Sequence, residues 1–210
     1  MTRRTATMFV FVAVLLWGLL ALLTVGSAPT PPVLLNSICF AIGGALGLAW
    51  TARTGGVASL RSVPLHVYLL GTLGLFGYHA LYFSALRLAP AAEAGLIAYL
   101  WPLLIVFVSG LLPGETLRAG HVIGAFIGFS GAALIITGGT TGFNADALPG
   151  YMLALACAIT WTAYSLTSRR FGTVPTASVA VFCVARAALS IPLHLALEAT
   201  IWTRSTAGWI

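Results

Sequence analysis

Apolar residues in this chain come in runs, and short polar gaps separate the runs. Seven runs can be delimited, at 8–26, 33–52, 66–86, 91–112, 120–140, 148–168 and 176–197. Each approaches the roughly 20 residues that an α-helix needs to cross a bilayer. The gaps carry the turn formers and most of the charge, as in Ala28-Pro29-Thr30-Pro31-Pro32 and Arg87-Leu88-Ala89-Pro90. The pattern predicts an all-α integral membrane protein with seven transmembrane helices in this chain.

A shift of 144 residues lays the chain on itself. Met8 then falls on Met152, Trp17 on Trp161, Pro31 on Pro175, Cys39 on Cys183 and Ala41 on Ala185, with Thr24 on Ser168. A mid-helix Trp and an inter-helix Pro recur at equivalent places, which gives these few identities their weight. The unit so defined holds five apolar segments. An odd number makes the second copy enter the membrane upside down, so the sequence predicts an inverted-topology repeat of the kind transporters use. Residues 1–144 form a first five-helix half and 145–210 the start of a second, inverted half. Residue 210 corresponds to His66, where the third helix of the first copy begins. The repeat therefore predicts about three further helices in the natural protein, ten in all. It also argues against reading Arg3-Arg4 and the first apolar run as a cleaved signal peptide.

Composition sharpens this picture. Charged residues make up 7% of the chain and apolar ones 60%, against about 25% charged in soluble domains. All ten basic residues are Arg. The net charge of +6 does not imply a nucleic-acid partner, because the arginines sit mostly in the short gaps between segments. Alternating the gaps puts Arg3, Arg4, Arg53, Arg61, Arg118, Arg169 and Arg170 on one side, and Arg87 and Arg204 on or near the other. By the positive-inside rule the N-terminus is cytoplasmic. Cys39, Cys157 and Cys183 all lie within spans without CxxC spacing, so neither a disulfide framework nor a metal site is expected. No nucleotide, metalloprotease or serine-hydrolase motif occurs, and with only four acidic residues there is little for acid–base chemistry; no cofactor and no enzymatic activity are implied.

Candidate chemistry is concentrated in aromatic residues at membrane depth. Tyr78-His79-Ala80-Leu81-Tyr82 lies inside the third segment and Tyr99-Leu100-Trp101-Pro102 inside the fourth. Leu or Ile would satisfy lipid as well, whereas Tyr, His and Trp carry polar groups that need partners, so their clustering predicts a cavity. The competing reading is an interfacial aromatic belt anchoring helix ends. Tyr78 and Tyr82 share a helix face and His79 sits about 100° round from Tyr78. His79 could bind a carboxylate, gate or relay a proton, or be a neutral core residue. Pro102 removes a backbone donor and predicts a kink. Trp17 and Trp161 are related by the repeat, and Tyr164 follows three residues after Trp161. Within spans, Arg186 and Glu93 either bind the ends of a zwitterion or form structural pairs, Glu93 with Arg87. Glu115 and Arg118 read as a helix-end pair. The spacings Gly43/Gly47 and Gly120/Gly124/Gly128 predict close helix packing, with homodimerisation as the alternative.

The run from Tyr78 through Gly139 resembles the drug/metabolite transporter superfamily, specifically its EamA-domain proteins. The features that carry the resemblance are Tyr82-Phe83-Ser84-Ala85-Leu86, Ala91-Ala92-Glu93-Ala94, Trp101-Pro102, Gly114-Glu115 before Arg118, and the glycine-rich fifth segment. Within that group, Tyr78-His79, Tyr99 and Trp101-Pro102 are most similar to the YddG-type aromatic amino-acid exporters. The resemblance implies ten helices in two inverted five-helix halves and a carrier that moves solutes out of the cytoplasm across the inner membrane. The function to be expected is export of amino acids, aromatic or large and apolar, by alternating access. The site would be lined by Trp17, Tyr78, His79, Tyr82, Tyr99, Trp101, Trp161 and Tyr164, in a monomer or weak homodimer. Export of another metabolite or a drug-like cation, or a non-transporting scaffold role, are the alternatives.

Overall fold

A computed structural model of the protein describes residues 3–110, 112, 117–137 and 144–201. Nine α-helices and no strands occur among these residues: α1 (Arg3–Gly26), α2 (Pro32–Arg53), α3 (Val57–Arg61), α4 (Leu65–Leu88), α5 (Ala91–Ala98), α6 (Trp101–Ser109), α7 (Ala119–Thr137), α8 (Leu148–Ser168) and α9 (Ser178–Leu197). Prolines mark many of the starts. Pro32, Pro102 and Pro149 stand in the first turns of α2, α6 and α8, and Pro64 and Pro90 cap α4 and α5. A missing N–H costs nothing there, and the fixed φ suits the first turn.

Six helical stretches are long and apolar enough to cross a membrane: Arg4–Gly26, Pro32–Arg53, Leu65–Leu88, Ala91–Ser109, Ala145–Phe171 and Ser178–Leu197. They correspond to six of the seven segments expected from the sequence. The remaining segment, 120–140, falls on α7, whose apolar described stretch, Ala119–Gly131, is shorter than a span. Residues 111, 138–140, Gly114 and Glu115 lie outside the described residues, as does the pair expected between Glu115 and Arg118.

The fourth segment is two helices, not one. α5 ends at Ala98 and α6 begins at Trp101, with Tyr99 and Leu100 between them. The cause is local: Pro102 has no N–H to offer the Ala98 carbonyl, so the i→i−4 ladder breaks there. The helix α3, between Arg53 and the start of α4, was not legible in the sequence. Its five residues are too few to show a period, and the reversal before it turns on Gly55, at φ +72°.

Two antiparallel helix pairs form the frame, α2 with α9 and α4 with α8. Along α2, Asn36, Ser37, Gly44 and Gly47 meet Ser190, Ala187, Val184 and Ala180 of α9 in turn, so one numbering rises as the other falls. Along α4, Gly74, Gly77, Tyr78 and Leu88 meet Tyr164, Thr160, Cys157 and Gly150 of α8 in the same sense. α9 runs parallel to α4, with Phe182 against Gly71 and Arg186 against His79.

Small residues let these helices approach. Ala85, Ala94, Ala98 and Ala154 are buried in one core with Tyr78, Tyr82, Phe83, Leu86 and Cys157. The glycines at the α2–α9 crossing are Gly44 and Gly47. A Cβ on Gly44 would stand 2.6 Å from Val184 Cγ2, and one on Gly47 2.7 Å from Ala180 Cβ, whereas Gly43 meets nothing within 4 Å. Of the expected Gly43/Gly47 pair, Gly47 thus packs at the crossing, and Gly44 takes the place of Gly43. Gly120, Gly124 and Gly128 likewise meet nothing within 4 Å, so among the described residues their ridge does not serve close packing. Gly71 and Gly74 do instead: they receive the rings of Phe182 and Tyr164.

α1 is the least enclosed of the long helices. Its apolar side chains, from Met8 to Leu23, are mostly exposed on all sides. A helix apolar all round and unburied by protein is one solvated by lipid.

Candidate functional site

Three tryptophans from three helices meet pairwise. Trp17 of α1 stacks on Trp101 of α6 with centroids 6.4 Å apart and planes 10° from parallel. Trp161 of α8 stands edge-on to both, at 6.1 Å from each. Tyr78 of α4 joins at 4.7 Å from Trp161 and stacks on Tyr82 at 5.9 Å, while Tyr164 touches Trp161 at 5.6 Å. Offset stacking and edge-to-face contacts at these distances suit the ring quadrupoles. Trp17, Tyr78, Trp101 and Trp161 each lie within about three residues of the middle of their spans. A belt would place them at helix ends, where the headgroups are.

His79 sits at the edge of this cluster. Its ring contacts Tyr78 at 5.0 Å, Phe83 at 5.8 Å and Phe40 of α2 at 4.8 Å. Its Nδ1 lies 2.9 Å from the Leu75 carbonyl and 3.2 Å from Nη1 of Arg186. The Arg186 guanidinium carbon rests 2.8 Å from the centroid of the Phe40 ring. The structure therefore brings seven of the eight predicted residues into one set of ring contacts. Tyr99, the eighth, is half exposed and lines a groove of about 430 Å³ with Pro102, Val106, Gly124 and Gly128.

Two buried donors beside the rings have no partner, the indole Nε1 of Trp101 and the Nε of Arg186. Buried polar groups are normally hydrogen-bonded, and unpaired ones mark strain or a site for something else to bind. Thr162 Oγ1 meanwhile bonds the Ala158 carbonyl at 2.8 Å and reaches the Trp101 carbonyl at 3.4 Å, close to the break before Pro102.

Arg87, Glu93 and Glu198 tie helices together. Arg87 and Glu93 do not pair as expected. Arg87 donates to Ser27 Oγ at 2.9 Å and to the Thr30 carbonyl at 3.1 Å, tying α4 to the α1–α2 turn. Glu93 accepts from the Tyr151 hydroxyl, tying α5 to α8. Both are explained by position: each lies at a helix end, where loop carbonyls and the neighbouring helix are nearer than a residue six positions along. At the far end of α9, Glu198 accepts from the backbone N–H groups of Val33 and Leu34 and lies 2.7 Å from His194 Nδ1. Among the described residues no group of three or more His, Cys, Asp or Glu side chains could hold a metal ion.

Sequence reasoning missed the role of Phe40, one of eleven phenylalanines, which nothing in its spacing singled out. The polar seam between α2 and α9 was missed as well. Asn36 Nδ2 donates to Ser190 Oγ at 2.7 Å, Ser190 Oγ to the Arg186 carbonyl at 2.9 Å, and Ser37 Oγ to the Ala187 carbonyl at 3.0 Å. An Asn inside an apolar span was its one visible signal, and the structure buries it fully.

Membrane-crossing helices that meet around a mid-span aromatic cluster define a multi-span membrane protein of the transporter class. Comparison with known proteins agrees. The EamA-like transporter family matches residues 4–137, and the chain belongs to that family. It is 51% identical over 205 residues to the "Aromatic amino acid exporter YddG" of Ancylobacter novellus, covering 96% of this chain and 71% of that protein. It is 27% identical over 184 residues to the exporter of the same name from Escherichia coli K12, covering 81% of this chain and 61% of that one. A solved crystal structure with 50% sequence identity superimposes with a TM-score of 0.79, covering 99% of this chain and 72% of its own.

Proposed function

We propose that the protein exports amino acids with aromatic or other large apolar side chains across the inner (plasma) membrane by alternating access. The observation that carries this reading is the meeting of Trp17, Trp101 and Trp161 with Tyr78 at mid-span depth. Trp and Tyr offer flat apolar faces to a substrate ring and polar tips to its ends. Tyr82, His79 and Tyr164 extend the lining, and Tyr99 guards the side toward α7. The names borne by two of the relatives, aromatic amino acid exporters, support the same substrate class.

The transport cycle follows from the arrangement of the repeat. Helices α1 and α2 correspond to α8 and α9 under the 144-residue register, and α2 runs antiparallel to α9, as an inverted copy requires. The full architecture is then ten helices in two halves, 1–144 and the inverted half beginning at 145, with seven spans in this chain. The N-terminus is cytoplasmic, by the excess of arginine in alternate gaps. Rocking of the halves would open the aromatic cluster to each side in turn, and substrate shifts the populations by binding the end states and the closed state unequally. Export of a drug-like cation finds less support, because Glu93 is held by Tyr151 at a helix end, outside the aromatic cluster.

The test is uptake of labelled Phe and Trp into proteoliposomes by the full-length protein, with and without a pH gradient. Saturable uptake that is lost in Trp101→Ala is expected. A folded protein that moves neither amino acid would sink the substrate assignment.

A further inference from the structure

Among the described residues Arg186 is the only buried arginine, 3% exposed and close to the middle of α9. A charge at that depth is costly and calls for a partner. The structure supplies very little. No carboxylate of the described residues lies within ion-pairing reach, and Nε is buried without any hydrogen-bond partner. Nη1 lies 3.2 Å from His79 Nδ1, but that nitrogen also lies 2.9 Å from the Leu75 carbonyl. One imidazole nitrogen can donate to the carbonyl or accept from the arginine, never both. Arg186 therefore has at most one neutral acceptor for five N–H groups. Phe40 covers the face of the guanidinium and takes none of its donors, which point in the plane.

The orphaned cation adjoins the aromatic cluster through His79, which contacts Arg186 Nη1 on one side and the Tyr78 ring on the other. With Nη1 turned to His79, the fork made by Nε and Nη2 remains, and that fork matches the two oxygens of a carboxylate. We propose that Arg186 is the carboxylate-binding residue of the transport site, held in place by Phe40 and His79, and that the site requires an aromatic solute with a free carboxylate. This rests on the amino-acid reading above for what is transported, but not for the anion chemistry.

The test separates the two. Binding to the full-length protein in detergent is read by thermal stabilisation with 3-phenylpropionate, which keeps the ring and carboxylate of Phe, and with phenethylamine, which keeps the ring and ammonium. The wild type should be stabilised by the first and not by the second. Arg186→Gln should weaken 3-phenylpropionate binding roughly tenfold to a hundredfold, the scale of a lost charged hydrogen-bond pair. Equal response to both probes, or wild-type affinity in Arg186→Gln, overturns the proposal. Should the glutamine variant not fold, Arg186→Lys keeps the charge and loses the fork; weaker binding is expected there, and unchanged affinity overturns the proposal too. Uptake of labelled Phe is scored separately. Arg186-dependent binding of 3-phenylpropionate without Phe uptake leaves the anion site standing and removes the transport reading. Phe uptake with an unaltered KM in Arg186→Gln does the reverse.

Discussion

Trp161 stands edge-on to Trp17, its equivalent in the 144-residue register, with ring centroids 6.1 Å apart. Trp161 also touches Trp101, Tyr78 and Tyr164, which makes it the hub of the cluster. Aromatic pairs contribute about 0.5–1.5 kcal/mol each beyond their buried area. Trp161→Ala should therefore abolish uptake and lower the unfolding temperature, while Trp161→Phe keeps part of both. Trp50 is 70% exposed, and Trp50→Ala should leave uptake within about twofold of wild type. Parallel uptake and melting measurements on the three variants check this, and equal losses at positions 161 and 50 would remove the special place given to the cluster.

Glycines of α4, α7 and α8 make a sharper test, because the structure separates two kinds. A Cβ on Gly74 would stand 2.5 Å from Tyr164 Cδ2, and one on Gly150 2.7 Å from the Leu88 carbonyl carbon. A side-chain ring can shift, but backbone cannot. Gly150→Ala should cost about 1–3 kcal/mol by overpacking, and Gly74→Ala should cost less in stability while displacing Tyr164 from Trp161 and weakening substrate affinity. Gly124→Ala and Gly128→Ala meet nothing within 4 Å and should be neutral in both respects. Thermal unfolding in detergent and the uptake KM, measured on all four, distinguish these outcomes.

Much of the helix order could be read from the sequence because lipid imposes one requirement on every span, an apolar run of fixed length. The aromatic residues were legible for a related reason: Tyr and Trp at mid-span are costly unless they line or fill something, so Tyr78, Trp101 and Trp161 stood out against Leu and Ile. Partners were another matter. Arg87 and Glu93 lie six residues apart in sequence, yet each bonds across to another element, because helix ends bring loop carbonyls and neighbouring hydroxyls closer than the chain does. Of the pair Gly43/Gly47, Gly47 meets α9 but Gly44 takes the place of Gly43, since spacing gives the periodicity of a ridge but not which side of it a neighbour occupies. Phe40 gave no signal at all. Its role depends on Arg186, nearly 150 positions away, and only the antiparallel packing of α2 on α9 brings the two together.

That packing is held by a buried hydrogen bond, from Asn36 Nδ2 to Ser190 Oγ at 2.7 Å. Bonds between helices in a membrane contribute about 0.6 kcal/mol on average and up to about 1.7. Asn36→Ala and Ser190→Ala should each destabilise by an amount in that range. The double variant should cost less than the sum of the two, because the second loss finds the bond already gone. A double-mutant cycle on the unfolding free energy measures the coupling, and strict additivity would mean that the pair contributes nothing as a pair.

Glu198 closes the same end of this interface, beyond the Asn36–Ser190 bond, where its carboxylate accepts from the backbone N–H groups of Val33 and Leu34 in the first turn of α2. Those donors have no acceptor within their own helix, and the positive end of the helix dipole favours an anion there. His194, one turn earlier on α9, lies 2.7 Å from the same carboxylate and steadies it. Glu198→Gln keeps an acceptor but loses the charge, and should cost about 0.3–1 kcal/mol. Glu198→Ala leaves two N–H groups and the Nδ1 of His194 without a partner and should cost about 1–3 kcal/mol. His194→Ala should fall between wild type and Glu198→Ala, because the cap itself survives. Unfolding temperatures in detergent should therefore rank wild type first, then Glu198→Gln, with Glu198→Ala last. If Gln and Ala prove equal, the carboxylate does not act as a cap on α2, and the tie between the start of α2 and the end of α9 must come from the Asn36–Ser190 seam alone.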